Sequence, residues 1–344
     1  FSVTVPSWRA TKDVTIKADI IEEITRIYGY DNFDVHTCLA PLYPVRPDVE
    51  KTVEDRIKDL LVKRFSLHEL HSYVWAYYDE LKALGIDVEG EIKLEGASNP
   101  NIETIRKSII PTQLCQVKQN TSFALRFGIF EIGRVVTGLD ENNLCVEKKK
   151  LAITLFSKIA PVSVLFYKLR DILEVMSDDI KHKSLSFEPI EATSNYQHPR
   201  NLNRIICDGV EIGQIGIVHP TVQKKIDKKA AIVFAEVDVE AFANIENASI
   251  QYVEPSKFPE IEVDLSFVSP KFAPIAKAIA QTRSPLIKNV YVTDIYDDEN
   301  DGTKSITTRI VFSHSDKTLT REEVQEVTDS IIESLKNDGI ELKS

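Results

Sequence analysis

The first forty residues contain one strongly amphipathic segment. Ile20, Ile24 and Ile27 recur at helical spacing, so they share one face of a helix predicted from about residue 16 to residue 28. A short strand is predicted before it, over residues 1–5. One helix and one strand bury too little apolar surface to fold alone. We therefore expect this segment to be the end of a domain that begins before residue 1.

A linker and a larger mixed domain are predicted next. Pro41, Pro44 and Pro47 favour extended backbone and interrupt helices. Asp48 is a suitable N-cap for a helix that follows, and the apolar face of this helix combines Val53, Ile57, Leu60 and Leu61. Strand-like runs then alternate with helical patterns to about residue 247, which predicts a largely antiparallel sheet with helices packed on it. The predicted strands cover residues 73–78, 128–136, 150–156, 204–207, 212–218 and 231–237.

The last part of the chain, from residue 252, has a β-α-β-β-α-β order. Its strands are predicted near residues 262–268, 290–296, 304–313 and 340–343. The second helix has the clearest start, because Thr320 and Glu323 form a capping box ahead of the apolar series Val324, Val327, Ile331 and Leu335. This order is that of the ferredoxin-like fold, which hosts many functions. The fold class is therefore α+β.

Composition and charge restrict the classes of function. With 344 residues and 43% hydrophobic content, the chain is long enough for two or three domains. There is no run of about 18 apolar residues and no signal-peptide pattern, so we expect a cytosolic protein without a membrane span. The net charge of −11 opposes nucleic-acid binding through bulk electrostatics. The widely spaced cysteines predict reduced thiols rather than a zinc site or disulfides: Cys38, Cys115, Cys145 and Cys207.

Four acidic residues form the strongest chemical cluster. Asp19, Glu22 and Glu23 lie at i, i+3 and i+4, so their carboxylates project from one helical face, within reach of Asp13 in the preceding turn. Hard oxygen ligands of this kind suit Mg²⁺. The alternative is a solvated acidic face on which Glu22 pairs with Arg26. The spacing leaves both interpretations open.

A second candidate site lies in the last domain. Asp294 and Tyr296 are two residues apart, so they share one face of a strand, and Ser305 begins the next strand. An aromatic ring beside hydrogen-bonding groups can stack on a base and read its edge without a basic surface. The alternative is a sheet-face aromatic with Asp294 as a strand-end cap. Residues 253–344 contain 11 Lys and Arg against 17 Asp and Glu, so any RNA contact must be local.

Motifs in all three segments resemble one family. Val5-Pro-Ser-Trp-Arg9, Asp19-Ile-Ile-Glu-Glu23 and Arg26-Ile-Tyr-Gly-Tyr30 resemble the end of the winged-helix-like domain in the bacterial phenylalanyl-tRNA synthetase beta subunit. A second set of residues resembles the synthetase-like core of that subunit: Asn99-Pro100, Arg106, Ser108, Pro111, Asn120, Phe130-Glu-Ile-Gly-Arg-Val135, His198-Pro199, Gly213-Gln-Ile-Gly216 and His219-Pro220. A third set resembles the anticodon-binding domain of the same subunit: Lys257-Phe-Pro259, Asp264-Leu265, Asp294-Ile-Tyr296, Lys304-Ser305, Thr318-Leu-Thr320 and Glu322-Glu-Val324.

The resemblance implies a fold in three parts and a role in a larger enzyme. Residues 1–40 would end a winged-helix-like domain, residues 41–250 would form a class II synthetase-like core, and residues 251–344 would form the ferredoxin-fold anticodon-binding domain. The enzyme, an alpha2-beta2 heterotetramer, joins phenylalanine to tRNA(Phe) with ATP and Mg²⁺. Its chemistry belongs to the alpha subunit, and we expect the helix after Asp48 to pack into the contact with that subunit.

The resemblance also assigns the two candidate sites. It implies a Mg²⁺ site shared with the alpha subunit at Asp13, Asp19, Glu22 and Glu23, and an anticodon contact at Asp294, Tyr296 and Ser305. The chain departs from the family where Val263 replaces an arginine and where two extra residues separate Arg9 from Asp13. The stretch between Lys158 and Tyr167 is also shorter than the family pattern.

No catalytic pattern is present in the core segment. A class II synthetase needs arginines that neutralise charge developing on the ATP phosphates, and the comparable strand here carries Phe130-Glu-Ile-Gly-Arg-Val135 without a later Gly-rich segment ending in Arg. His198 and His219 each precede a proline and predict turn-capping or core roles. Two alternatives remain, a free-standing interaction protein with a ligand-binding or protein-binding ferredoxin-like domain, and an autonomous ATP-dependent ligase.

Overall fold

The chain is described by a computed structural model that covers residues 2–75, 77–87, 90–250, 252, 254–297 and 304–343. It divides into two compact units, Phe1–Ala248 and Ser249–Ser344. The helices of the first unit are α1 (Lys17–Tyr28), α2 (Val49–Lys63), α3 (Tyr78–Leu84), α4 (Ile110–Asn120), α5 (Val162–Lys181), α6 (Pro220–Ile226) and α7 (Val239–Asn244). Its strands are β1 (His68–Glu69), β2 (Ile92–Lys93), β3 (Thr104–Ile105), β4 (Arg126–Leu139), β5 (Cys145–Ser157), β6 (Leu185–Pro189), β7 (Gln197–Cys207), β8 (Val210–Val218) and β9 (Ala231–Asp238).

A seven-stranded sheet lies at the centre of the described part of the first unit. The strand order is β1-β4-β5-β9-β8-β7-β6, and each pairing is antiparallel except β1 with β4. One face packs against α2, α5 and α7, and the other against α3, α4 and α6. Burial on both faces explains why β5 ends in an unbroken buried run rather than alternating. The predicted antiparallel sheet with helices is confirmed.

Several local predictions are corrected. Residues 2–5 form no strand, and Phe1 lies outside the described residues. The predicted strand over 73–78 is wrong, because Trp75 makes only an isolated bridge to Ile105 and α3 begins at Tyr78; Ala76 lies outside the described residues. The aromatic and β-branched composition of that run reflects packing rather than sheet pairing.

Helix α2 begins as predicted but uses its apolar face differently. Asp48 caps it by accepting a hydrogen bond from the backbone N–H of Lys51 at 3.0 Å. Val53, Ile57 and Leu61 are buried in the core of this unit, and Leu60 packs against the same cluster. This face is therefore covered by the chain's own sheet, and the expected contact of α2 with an alpha subunit stays a prediction that must use other residues of the helix.

Helix α1 differs from α2 in burying none of its side chains. It runs from Lys17 to Tyr28 and is followed by Gly29, where φ is +92°. Ile24 and Ile27 lie on the predicted apolar face and remain exposed. The predicted helix is thus confirmed.

The second unit has a ferredoxin-like arrangement. It contains β10 (Ile261–Val268), α8 (Ala273–Thr282), β11 (Ile287–Asp297), β12 (Lys304–Phe312) and α9 (Arg321–Asn337). The sheet order is β10-β12-β11, and a bridge between Phe267 and Leu342 places the end of the chain beside β10. The predicted fourth strand is thus reduced to one bridge. The capping box of α9 is confirmed, since Thr320 and Glu323 exchange hydrogen bonds.

Among the residues that the structure describes, none of the helices combines the length and the apolar character that a membrane crossing requires.

Candidate metal and nucleic-acid-binding sites

Arg9 joins two of the four predicted metal ligands. Its Nε donates to Asp13 Oδ2 at 2.7 Å, and its Nη2 donates to Glu23 Oε1 at 2.7 Å. Arg26 donates to Glu23 at 2.5 Å rather than to Glu22, the pair considered from the sequence. The two arginines hold the pKa of Glu23 at about 2. Because this lies below the ordinary 4.5, the interaction stabilises the fold above pH 4.5 and is lost as the pH falls towards 2.

The other two carboxylates lie on α1 in different surroundings. Asp19 Oδ2 accepts hydrogen bonds from the backbone N–H groups of Thr15 at 2.6 Å and Ile16 at 2.9 Å, which lowers the pKa of Asp19. Its carboxylate thereby satisfies backbone donors at the start of the helix. Glu22 is exposed to solvent. Of these two predicted ligands, Asp19 therefore has a structural role and Glu22 is free to move.

These contacts do not form a magnesium site in this conformation. Across the described residues, no group of three or more His, Cys, Asp or Glu side chains is arranged to hold a metal ion. Mg²⁺ requires near-octahedral oxygen ligands at about 2.0–2.1 Å, whereas the guanidinium of Arg9 already bridges Asp13 and Glu23. The two carboxylates are therefore already paired with a cation of the chain itself.

The three predicted RNA contacts lie together on the open face of the second unit's sheet. In β12, Ile306 and Ile310 are buried in the core against α8 and α9, so Ser305 faces the other way. Tyr296 of β11 pairs directly with Ser305, and Asp294 follows on the same face, opposite Thr307. A register shift between Val292 and Asp294 leaves this end of β11 exposed on both faces.

Lys343 covers part of this site, a contact that was not predicted. Its Nζ lies 4.3 Å from the centroid of the Tyr296 ring and donates to Ser305 Oγ at 3.3 Å. Ser305 is only 3% exposed, whereas Tyr296 is 50% exposed. The signal for Lys343 was strand alternation, because Leu342 pairs with the core-facing Phe267 and its neighbour must therefore face outwards.

Other basic side chains near this face are held by carboxylates. Arg309 donates to both carboxylate oxygens of Asp264 at 2.8 Å and also approaches Glu262 at 2.9 Å. Lys304 pairs with Asp297 at 2.5 Å. The hydroxyl and the ring that contact Lys343 are neutral, and no ion pair of Lys343 is formed with the residues that the structure describes.

In the first unit, the buried carboxylate of Glu236 is fully hydrogen-bonded. Glu236 accepts hydrogen bonds from Ser108 Oγ and the Ile109 backbone N–H, both at 2.8 Å, and pairs with Lys150 at 3.0 Å. The two histidines act in turns, as predicted. His198 Nδ1 accepts from the backbone N–H of residue 200, and His219 caps α6.

Three family models match the chain. The model described as phenylalanyl tRNA synthetase beta chain CLM domain matches residues 39–239. The ferredoxin-fold anticodon binding domain matches residues 256–343, and the tRNA synthetase B5 domain matches residues 1–30. Together they cover both compact units.

Curated relatives carry one description, phenylalanine–tRNA ligase beta subunit. The protein from Leptospira biflexa is 28% identical over 360 residues, covering 99% of this chain and 44% of that protein. The protein from Listeria monocytogenes is 28% identical, covering 94% of this chain and 42% of its own length. That from Bacillus subtilis is 27% identical, covering 97% and 43%. The chain thus spans less than half the length of the curated relatives it matches.

Proposed function

Since the chain belongs to the phenylalanyl-tRNA synthetase beta chain family, we propose that it assembles with an alpha subunit and holds the tRNA(Phe) anticodon without performing chemistry. We divide it into the end of a winged-helix-like domain (1–40), a class II synthetase-like core (41–250) and an anticodon-binding domain (251–344). The ranges of the family models and the unit boundary after Ala248 support this division.

The single observation that carries the proposal is the open sheet face of the second unit. Tyr296, Ser305 and Asp294 lie side by side there, within the residues matched by the anticodon-binding model. An exposed ring can stack on one base, while a carboxylate and a hydroxyl can accept or donate at the edge of that base. Recognition of this kind is local, which suits a protein with a net charge of −11.

The packing of the first unit supports a non-catalytic core. Helices cover both faces of the seven-stranded sheet, and two buried carboxylates are committed to cations of the same unit. Arg106 is paired with Glu131 at 2.8 Å, and Glu236 is saturated by three donors. ATP-dependent attachment of phenylalanine would then take place in the alpha subunit, within an alpha2-beta2 complex.

Coexpression tests the proposal against its two rivals. We expect the beta subunit that contains this chain to copurify with the phenylalanyl-tRNA synthetase alpha subunit of the same organism. We also expect this chain alone to show no ATP–pyrophosphate exchange with phenylalanine, and the complex to show it. Exchange by the isolated chain would favour an autonomous ligase. Purification without the alpha subunit would favour a free-standing interaction protein.

The magnesium site also remains a proposal, with Asp13, Asp19, Glu22 and Glu23 as its ligands from this chain. Mg²⁺ can enter only if Arg9 releases Asp13 and Glu23, because a guanidinium and a metal ion cannot share the same oxygens. Glu22, being exposed, is free to complete the set. Association with the alpha subunit is the event that we propose moves Arg9, since the implied site is shared between the subunits.

Melting experiments on the assembled complex test the magnesium proposal. We expect Mg²⁺ to raise the melting temperature of the wild type and to have little effect on a Glu22→Gln, Glu23→Gln double variant, because removing the carboxylates removes the repulsion that a cation relieves. Arg9→Gln removes the competing guanidinium and should enlarge the response.

The matched control is Glu322→Gln with Glu326→Gln, which removes two exposed carboxylates from α9. This control should keep the wild-type response to Mg²⁺. An unchanged response in the Glu22 and Glu23 variant would identify a solvated acidic face instead.

A further inference from the structure

Lys343 contacts two of the three groups proposed to read the base, Tyr296 and Ser305. Lys343 Nζ lies 4.3 Å from the centre of the Tyr296 ring, in the space above the ring where a base would stack. The same ammonium donates to Ser305 Oγ at 3.3 Å, and Ser305 is 3% exposed. The ammonium therefore occupies one face of a ring that is otherwise half exposed, and neither that face nor the Ser305 hydroxyl is available to a nucleotide until Lys343 moves.

Lys343 is suited to leave this position. Its two partners are a neutral hydroxyl and an aromatic ring, so no carboxylate contact described here holds it in place. Arg309, on the same face, is tied to both Asp264 and Glu262 and cannot move without breaking charged contacts. The side chain of Lys343 is long and exposed, so its ammonium can rotate away at small cost.

We propose that Lys343 is a displaceable cover of the base-stacking site, and that its ammonium pairs with a backbone phosphate of the stacked nucleotide once the base takes its place on Tyr296. This inference rests on the proposed function. The incoming base supplies a π surface in place of the ammonium, and the phosphate supplies an anion in place of the neutral ring and hydroxyl that Lys343 contacts. Ser305 Oγ becomes able to hydrogen-bond to the base edge by the same movement.

The movement is observable without an activity assay. Reductive ¹³C-methylation of the alpha–beta complex labels Lys343, and ring current from Tyr296 should shift its methyl signal upfield. The signal is assigned by its loss in Lys343→Arg, and Tyr296→Leu should abolish the shift. We expect tRNA(Phe) to return the signal towards the position of an exposed lysine. A signal that stays upfield at saturating tRNA, or that is never shifted, would overturn the proposal.

Salt dependence tests the phosphate contact. Lys343→Gln should weaken the binding of native tRNA(Phe), because the proposed phosphate contact is lost. It should also reduce the slope of log K against log salt by about 0.7, the value for one single-strand phosphate. Lys336→Gln, an exposed lysine on α9, is the matched control and should change neither quantity.

The outcomes separate this inference from the function on which it rests. If Tyr296→Ala weakens binding of native tRNA but Lys343→Gln leaves the affinity and the slope unchanged, the anticodon site stands and the role of Lys343 is wrong. If Lys343→Gln strengthens binding, the lysine is a cover without a phosphate contact, and the second half of the proposal fails. If Tyr296→Ala has no effect at all, the proposed site itself is wrong.

Discussion

Arg106→Ala is expected to lower the free energy of unfolding of the first unit by about 3–5 kcal/mol, the usual cost of leaving one partner of a buried ion pair alone. Arg106 donates to Glu131 at 2.8 Å, to Ser72 Oγ at 2.6 Å and to the backbone carbonyl of Arg134 at 3.1 Å. The side chains of Arg106 and Glu131 are each 2% exposed. Without the guanidinium, the Glu131 carboxylate keeps only the donors of Ser72.

An exposed ion pair that involves β4, the strand that carries Glu131, provides the control. Arg134 pairs with Glu147 across β4 and β5, and these side chains are 64% and 47% exposed. Arg134→Ala should therefore cost only about 0–1 kcal/mol. Urea unfolding is best followed by the fluorescence of Trp75, which stacks on Tyr73 in the first unit, in a Trp8→Phe background.

A double variant identifies the cause of the loss. Arg106→Met combined with Glu131→Leu removes both charges, so it should be clearly more stable than Arg106→Ala, because no charge is left buried without a partner. Equal losses in the two proteins would mean that packing, rather than the orphaned carboxylate, sets the cost. Equal losses in Arg106→Ala and Arg134→Ala would contradict the burial argument altogether.

Local signals in the sequence predicted local structure well. The capping box of Thr320 and Glu323 located the start of α9, because both partners lie within four residues and need no distant contact. Asp48 identified the start of α2 for the same reason. The aromatic run at 73–78 misled the prediction, since strand-like composition describes a half-buried surface and does not specify a pairing partner.

Contacts made across the fold were not predictable in the same way. The periodicity of α2 identified its apolar face but not what covers it. Periodicity shows which side of a helix is apolar, and it does not show which element packs on that side. Arg106 was noted in the sequence, yet its pairing with Glu131 depends on the position of β4 beside the residues before α4. Likewise, the i, i+3, i+4 rule placed Asp19, Glu22 and Glu23 on one helix but gave no sign that Arg9 would pair with two of the four carboxylates.

The candidate RNA site was predicted only in part. Side chains two residues apart in a strand point to the same face, and this rule placed Asp294 and Tyr296 together. The order of elements placed Ser305 beside them. The exposure of each group could not be predicted, because Lys343 reaches the site from a segment that makes only one bridge to the sheet. Ser305 is 3% exposed in the free chain, so a neighbouring group must move before Ser305 can bind a base. Rules based on residue spacing do not predict such a movement.

Tyr296→Ala is expected to raise the KM of the alpha–beta complex for tRNA(Phe) by roughly tenfold or more. Stacking of a base on an aromatic ring contributes about 1–3 kcal/mol by alanine substitution, and about 1.4 kcal/mol corresponds to a factor of ten. The ring lies on the open face of the sheet, so its loss removes a contact surface without opening the core. ATP–pyrophosphate exchange without tRNA should not change, because the chemistry is proposed to lie in the alpha subunit.

The comparison that decides the role of Tyr296 uses two tRNAs and two variants. Tyr167→Ala removes another exposed tyrosine, from α5 in the first unit, and should leave the KM for tRNA unchanged. Tyr296→Ala should lose much activity on native tRNA but little further activity on tRNA in which the stacked anticodon base is substituted, because that contact is already weakened. Its salt slope should stay near the wild-type value, since a tyrosine releases no counterions, unlike Lys343. Equal losses on both tRNAs would show that the ring supports the domain rather than reading the base, and the assignment of Asp294 and Ser305 as its neighbours in recognition would fall with it.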